Sequence, residues 1–205
     1  MFGSDLATAG PLDDANALPA YDEDGRLPAE IRGPGGELAR QSPYGCDMEM
    51  FRKRFGGVEA RDRLIDGLEA YRSDMEATGL LVAMQWIGGD IVTRDGEPTT
   101  VQLVNFCLPP RSVTTVAELE DFSKRHATLM SRIPASKRYG CDPTFVLMTA
   151  NPINMVRASA HASVRLTHDG HGHAQGYVAL AGFGDWSAKK IGPSSGRSSS
   201  PLRRQ

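Results

Sequence analysis

The stretch from Leu80 to Phe106 constrains the fold more than any other part of the chain. Before it, Leu64, Leu68, Tyr71 and Met75 recur at helical spacing, which predicts a helix over about 59–78 with Gly79 as its C-terminal cap. The period then changes. Leu80-Leu81-Val82-Ala83-Met84-Gln85-Trp86-Ile87 is a short, mostly apolar run stopped by Gly88-Gly89, and it reads as a buried strand. Ile91-Val92-Thr93 is a short piece before the turn Asp95-Gly96-Glu97-Pro98. Val101-Gln102-Leu103-Val104-Asn105-Phe106 alternates as a second strand, ended by Pro109-Pro110.

The remaining elements fall around this unit. A first element runs from about Asp47 to Phe55, closed by Gly56-Gly57. Thr115-Val116-Ala117-Glu118 has the form of a capping box, and it opens a helix predicted to reach Ile133. Leu119, Phe122, His126, Leu129 and Ile133 would share its apolar face, with Pro134 as its stop. Thr144–Thr149 reads as a third strand. Asn151-Pro152 reads as an N-cap followed by proline at the first helical position, opening a helix to about Arg165. Tyr177–Ala181 is a candidate last strand. The order helix, strand, Gly-Gly turn, strand, helix, strand, helix implies an α/β (α+β) domain: a small mixed sheet flanked by helices, expected on one side of it.

This domain is placed at 46–186. Residues 1–45 are rich in Gly and Pro, and residues 1–40 hold eight Asp or Glu against three Lys or Arg. They are expected to form an irregular acidic arm, with Leu18-Pro19-Ala20-Tyr21 docking on the core. Residues 187–205 are a Ser-, Gly-, Lys- and Arg-rich tail with five basic residues and no acidic one, expected to be disordered. Contact between this tail and nucleic acid phosphates is open, but a solvated end is the favoured reading.

At 205 residues with 40% hydrophobic and 23% charged, the chain has apolar material for one core. A net charge of -2 gives no general attraction to nucleic acid or membrane. Cys46, Cys107 and Cys141 have neither metal-like nor disulfide-framework spacing. The N-terminus lacks the basic and apolar regions of a secretory signal, and no window approaches the roughly 18 apolar residues of a membrane helix. A cytoplasmic protein with no membrane partner is expected.

The Leu80–Phe106 unit resembles the minimal nucleotidyltransferases of the DNA-polymerase-β type, and is closest in appearance to an uncharacterised bacterial branch of them. The leader Leu18-Pro19-Ala20-Tyr21-Asp22-Glu23-Asp24-Gly25-Arg26-Leu27-Pro28 and the Phe51–Gly56 helix end, Phe-x-x-Arg-Phe-Gly, extend the resemblance over roughly residues 18–150. Nucleotidyl transfer holds two divalent cations about 3.5–4 Å apart on carboxylates. The resemblance implies a Gly-Ser turn where this chain has Gly88-Gly89, and carboxylates where it has Thr100 and Gln102. Neutral side chains lack the charge that offsets magnesium dehydration. Asp142 is the one candidate for a third acid, and Asp90, Asp95 and Glu97 lie nearby at the wrong spacing.

The expectation is therefore a degenerate, non-catalytic nucleotidyltransferase-like protein. Gly88, Gly89, Thr100 and Gln102 would form a nucleotide cleft, Asp142 is a weak metal candidate, and no catalytic residue is assigned. No cofactor is expected, and magnesium enters only if the chain is instead an active transferase modifying a protein, RNA or small molecule, as in toxin–antitoxin or defence systems. A third reading is an interaction module with no nucleotide role, in which Gly88-Gly89 is simply a tight turn. A nucleotide or a protein is thus the expected partner. His168, His171 and His173 could be metal ligands, but the intervening glycines favour a solvated turn.

Overall fold

A computed structural model describes residues 18–148, 151–168 and 172–183. The chain is a mixed α+β protein. Three short strands come first: β1 (Glu30–Arg32), β2 (Leu38–Gln41) and β3 (Tyr44–Cys46). Helices α1 (Met48–Phe55) and α2 (Glu59–Ala77) follow, then β4 (Leu81–Gly88) and β5 (Val101–Leu108). After α3 (Val116–Arg125), α4 (Ala127–Met130) and α5 (Arg132–Tyr139) come β6 (Cys141–Leu147), α6 (Pro152–Leu166) and β7 (Val178–Phe183).

Strands β1 and β2 form a separate antiparallel pair, and the other five make one sheet in the order β3-β7-β4-β5-β6. Central β4 is antiparallel to both β5 and β7, while β5–β6 and β3–β7 are parallel. The parallel β5–β6 pair is joined by a crossover of helices, as parallel strands require.

Strand β5 is buried along most of its length, so its alternation feeds two cores. Val101, Leu103 and Cys107 join the larger one, with Ile65, Leu68, Tyr71 and Met75 of α2. Val104 and Phe106 join the smaller one, with Ala162 and Leu166 of α6. Helices therefore cover both faces of the sheet, not one. A single apolar run on a central strand carries no sign of which helix lies on which face.

Helix α2 is the main anchor. Arg61, Ile65, Leu68, Tyr71 and Met75 are buried at three- and four-residue spacing, and each fully buried Leu or Ile contributes about 1.5–3 kcal/mol. Gly67 lets α5 come close: a Cβ there would lie 2.1 Å from the Tyr139 carbonyl oxygen. At the end of α2, Gly79 takes the left-handed step with φ +77°.

Several local expectations hold. Both halves of the Thr115–Glu118 capping box are formed. The Asn151 side chain accepts from the amides of Ile153 and Asn154, with Pro152 opening α6. Other expectations change. The single helix expected from Thr115 to Ile133 is three, with breaks at His126 and Ser131. Pro134 does not stop a helix but sits in the first turn of α5, where amides have no intrahelical partner to lose. The break turns Ile133 outward, 70% exposed. Ile91-Val92 is a buried 3-10 turn, Asp90–Val92. Strand β6 starts at Cys141, before Thr144, and tolerates Pro143 because it is the sheet edge.

The N-terminal region differs from an irregular arm in the part described. Residues 30–46 carry three strands, and β3 belongs to the main sheet. The leader does dock: Leu18 and Tyr21 pack against the larger core, and Leu27 is fully buried. The Arg54 guanidinium lies 4.0 Å from the Tyr21 ring centroid and donates to the Pro19 carbonyl at 3.0 Å. Residues 1–17, Thr149, His171 and the tail from residue 187 lie outside the described residues. Among those described, no helix is long and apolar enough to cross a membrane.

Candidate functional site

Strand register sets the candidate residues in a row. Gly88 on β4 pairs with Gln102 on β5, and Gln102 pairs with Asp142 on β6. The row faces α6. A Cβ on Gly88 would meet Leu166 at 3.0 Å, and Arg165, one residue earlier, reaches Asp142. Gly89 follows with φ +77°, a conformation L side chains rarely adopt, and a Cβ there would meet the Gln102 side chain at 3.0 Å. This turn therefore suits glycine and disfavours an L side chain, serine included.

Thr100 lies just before β5. With Arg132, Ile133, Ser136, Lys137 and Asp142 it lines a cavity of about 560 Å³ between α5 and the start of β6. The structure thus brings Gly88, Gly89, Gln102 and Asp142 along one row, and Thr100 and Asp142 to one cavity.

Asp142 is the electrostatic centre of this region. Its carboxylate accepts from Arg132 Nε, from Arg132 Nη2 at 2.5 Å and from Arg165 Nη2 at 3.1 Å. Arg165 also donates to the Thr144 hydroxyl. The Arg132 hydrogen bond, outweighing burial and helped by the charges of both arginines, holds the Asp142 carboxyl below the usual carboxylate range. Arg132 and Arg165 thus face one acid, and Lys137 lines the same cavity. Sequence reasoning missed both arginines, because Arg132 and Arg165 lie 10 and 23 residues from Asp142 on separate helices. Only the choice of fold brings them together.

These donors do not fit a two-metal site. Thr100 and Gln102 are neutral, and the one carboxylate is engaged by two guanidiniums. The nearby acids do not supply the lack. Asp95 pairs with Arg94 at 2.9 Å, on a loop tied to the leader by the Arg94 amide donating to the Gly25 carbonyl at 2.7 Å. Asp90 and Glu97 are exposed on the same loop. Among the described residues, no three His, Cys, Asp or Glu side chains gather as a metal-holding group.

Arg61 shapes the loop after β4. From α2 its buried guanidinium donates to the Ile91 carbonyl at 2.9 Å, Thr93 at 2.8 Å and Gly96 at 2.7 Å. The loop edging the cleft is therefore held through its backbone.

The other face of the sheet carries a second polar cluster that the sequence did not announce. Gln85 and Asn105, strand partners, are fully buried. Gln85 Nε2 donates to Asn105 Oδ1 at 2.6 Å, and Asn105 Nδ2 donates to the Tyr71 hydroxyl at 3.3 Å. Tyr71 donates to the Leu129 carbonyl at 3.1 Å, and Arg72 donates to Gln85 Oε1. Gln85, Asn105 and Tyr71 are fully buried and satisfy one another, so the cluster serves the core.

The remaining candidates scatter. His168 sits in an isolated bridge with Ala174, and His173 Nδ1 lies 3.0 Å from Arg26 Nη2. His126 packs on Phe122 with ring centroids 4.6 Å apart. Burial pushes the Cys46, Cys107 and Cys141 thiols up to about 12, so all three are inert core groups.

Fold and cleft together define a mixed-sheet α+β protein with a cation-lined recess where β5 and β6 begin. The chain belongs to a family of unknown function, DUF6932, whose model matches residues 19–181. No curated protein and no solved structure matches it.

Proposed function

We propose that this protein is a degenerate nucleotidyltransferase-like protein that works in the cytoplasm by binding a nucleotide or a protein partner, not by metal-dependent transfer. One observation carries the reading. The carboxylate nearest the candidate cleft is neutralised by Arg132 and Arg165, while Thr100 and Gln102 offer no charge beside it. Such a cleft favours anions over cations. The turn at Gly89 adds support, since its left-handed backbone suits glycine rather than the serine of an active turn.

Thermal unfolding with each nucleoside triphosphate, in magnesium and in EDTA, tests this. A ligand at 100 times its dissociation constant stabilises by about 2.7 kcal/mol. Stabilisation that persists in EDTA, without nucleotide transfer in magnesium, is the expected result. Stabilisation and transfer that both require magnesium would establish the active-transferase alternative. No response to any nucleotide would leave a protein-binding role.

A further inference from the structure

We propose that the cleft grips a di- or triphosphate chain directly, through guanidinium and ammonium groups and without a divalent cation. This deepens the nucleotide-binding reading and rests on it. The donors are set out around the cavity with unused capacity. Arg132 spends Nε and Nη2 on Asp142, and its Nη1 has no partner among the described residues. Its side chain is 64% exposed. Lys137, further along α5, lines the same cavity and is in no ion pair among the described residues. The hydroxyls of Thr100 and Ser136 line it too, and neither side chain has a hydrogen-bond partner among those residues.

Asp142 acts here as a positioning residue. Its two oxygens fix the Arg132 fork and tie it to Arg165 on α6, so the planar guanidinium is oriented before a ligand arrives. A carboxylate so engaged has little left for a metal. It also lets two arginines sit close together without mutual repulsion expelling one of them. A polyphosphate carries several negative charges along its chain, and metal-dependent proteins offset them with magnesium. Here Arg132 and Lys137, both lining the cavity, occupy that role, with Arg165 adding positive charge from behind Asp142, and the fork geometry of arginine matches phosphate oxygens in pairs. A cavity of about 560 Å³ has the size of a small-molecule site.

Isothermal titration of the full chain with inorganic tripolyphosphate, in EDTA and in magnesium, tests the proposal. Binding in EDTA is expected, and it should weaken about tenfold in Lys137→Ala and in Arg132→Ala. Lys137→Arg should retain it. Because Lys137 is exposed and unpaired, its variant should keep the wild-type melting temperature, which separates lost binding from lost fold. Unchanged affinity in Lys137→Ala would overturn the proposal. So would the absence of tripolyphosphate binding while nucleoside triphosphates still stabilise the protein, and that result leaves the nucleotide reading standing. Binding that appears only with magnesium would overturn both.

Discussion

On the α2 face of the sheet, Gln85 and Asn105 are fully buried and each is hydrogen-bonded to the other and to a side chain of α2. On the α6 face, Gln102 is half-buried and its amide has no partner among the described residues. The two kinds of polar residue come from the same strands, and Asn105 and Gln102 are three positions apart. The first kind satisfies a desolvation cost inside the fold. The second leaves hydrogen-bonding capacity open on the strand position that pairs with Asp142. Their difference separates groups that specify the structure from groups left for something outside it.

The comparison can be broken by substitution. Leu68→Ala, in the α2 core, should cost about 3 kcal/mol in denaturant unfolding, from lost burial and the cavity left behind. A loss under about 1 kcal/mol would mean that α2 is not the anchor described. Asn105→Leu should cost about 2 kcal/mol, because it strands the buried Gln85 amide. The double variant with Gln85→Leu should lose less than the two singles together, and a purely additive cycle would dissolve the network.

Asp142→Asn should cost about 1 kcal/mol at pH 7, since Arg132 is largely exposed and its ion pair is screened. The sign with pH follows from the lowered carboxyl. Stability from the ionised form is present above its ordinary 3.8 and is lost as pH falls through the folded-state value. The gap between wild type and variant should thus close toward pH 3, as unfolding at several pH values would show. A gap that stays constant would mean the carboxylate contributes through packing and not through charge. The smallest effect belongs to the outer side of α6. Val164→Ser should change stability by less than about 0.5 kcal/mol, because that side chain is 62% exposed.

Local signals were legible where the physics is local. The spacing of Leu68, Tyr71 and Met75 located α2, Gly79 marked its end, and Asn151-Pro152 and Thr115–Glu118 marked two helix starts. The α+β class followed from their order. Pro134 was ambiguous in kind, because a proline suits a helix's first turn as well as the space after its end. Strands β1 to β3 hold three or four residues each, too few to show a period. The insertion of β7 between β3 and β4 depends on pairing across more than 90 residues, which no window of sequence contains. The candidate row could be named because Gly88, Gly89, Thr100 and Gln102 lie in one hairpin. Its cations could not, since Arg132 and Arg165 reach Asp142 only after two helices have packed.

The loop between Ile91 and Gly96 is held by one arginine that touches only main-chain oxygens. Carbonyls are common to all residues, so this clamp does not read the letters it holds. The exposed side chains at Arg94 and Asp95 can be exchanged while the path of the chain stays put, provided that Ile91 and Val92 keep their place in the core and glycine remains at 96, where a Cβ would strike the Thr93 hydroxyl. Shape and surface chemistry are thereby set by separate groups in this corner of the molecule. The outer face of the loop is thus open to change without a change of its path.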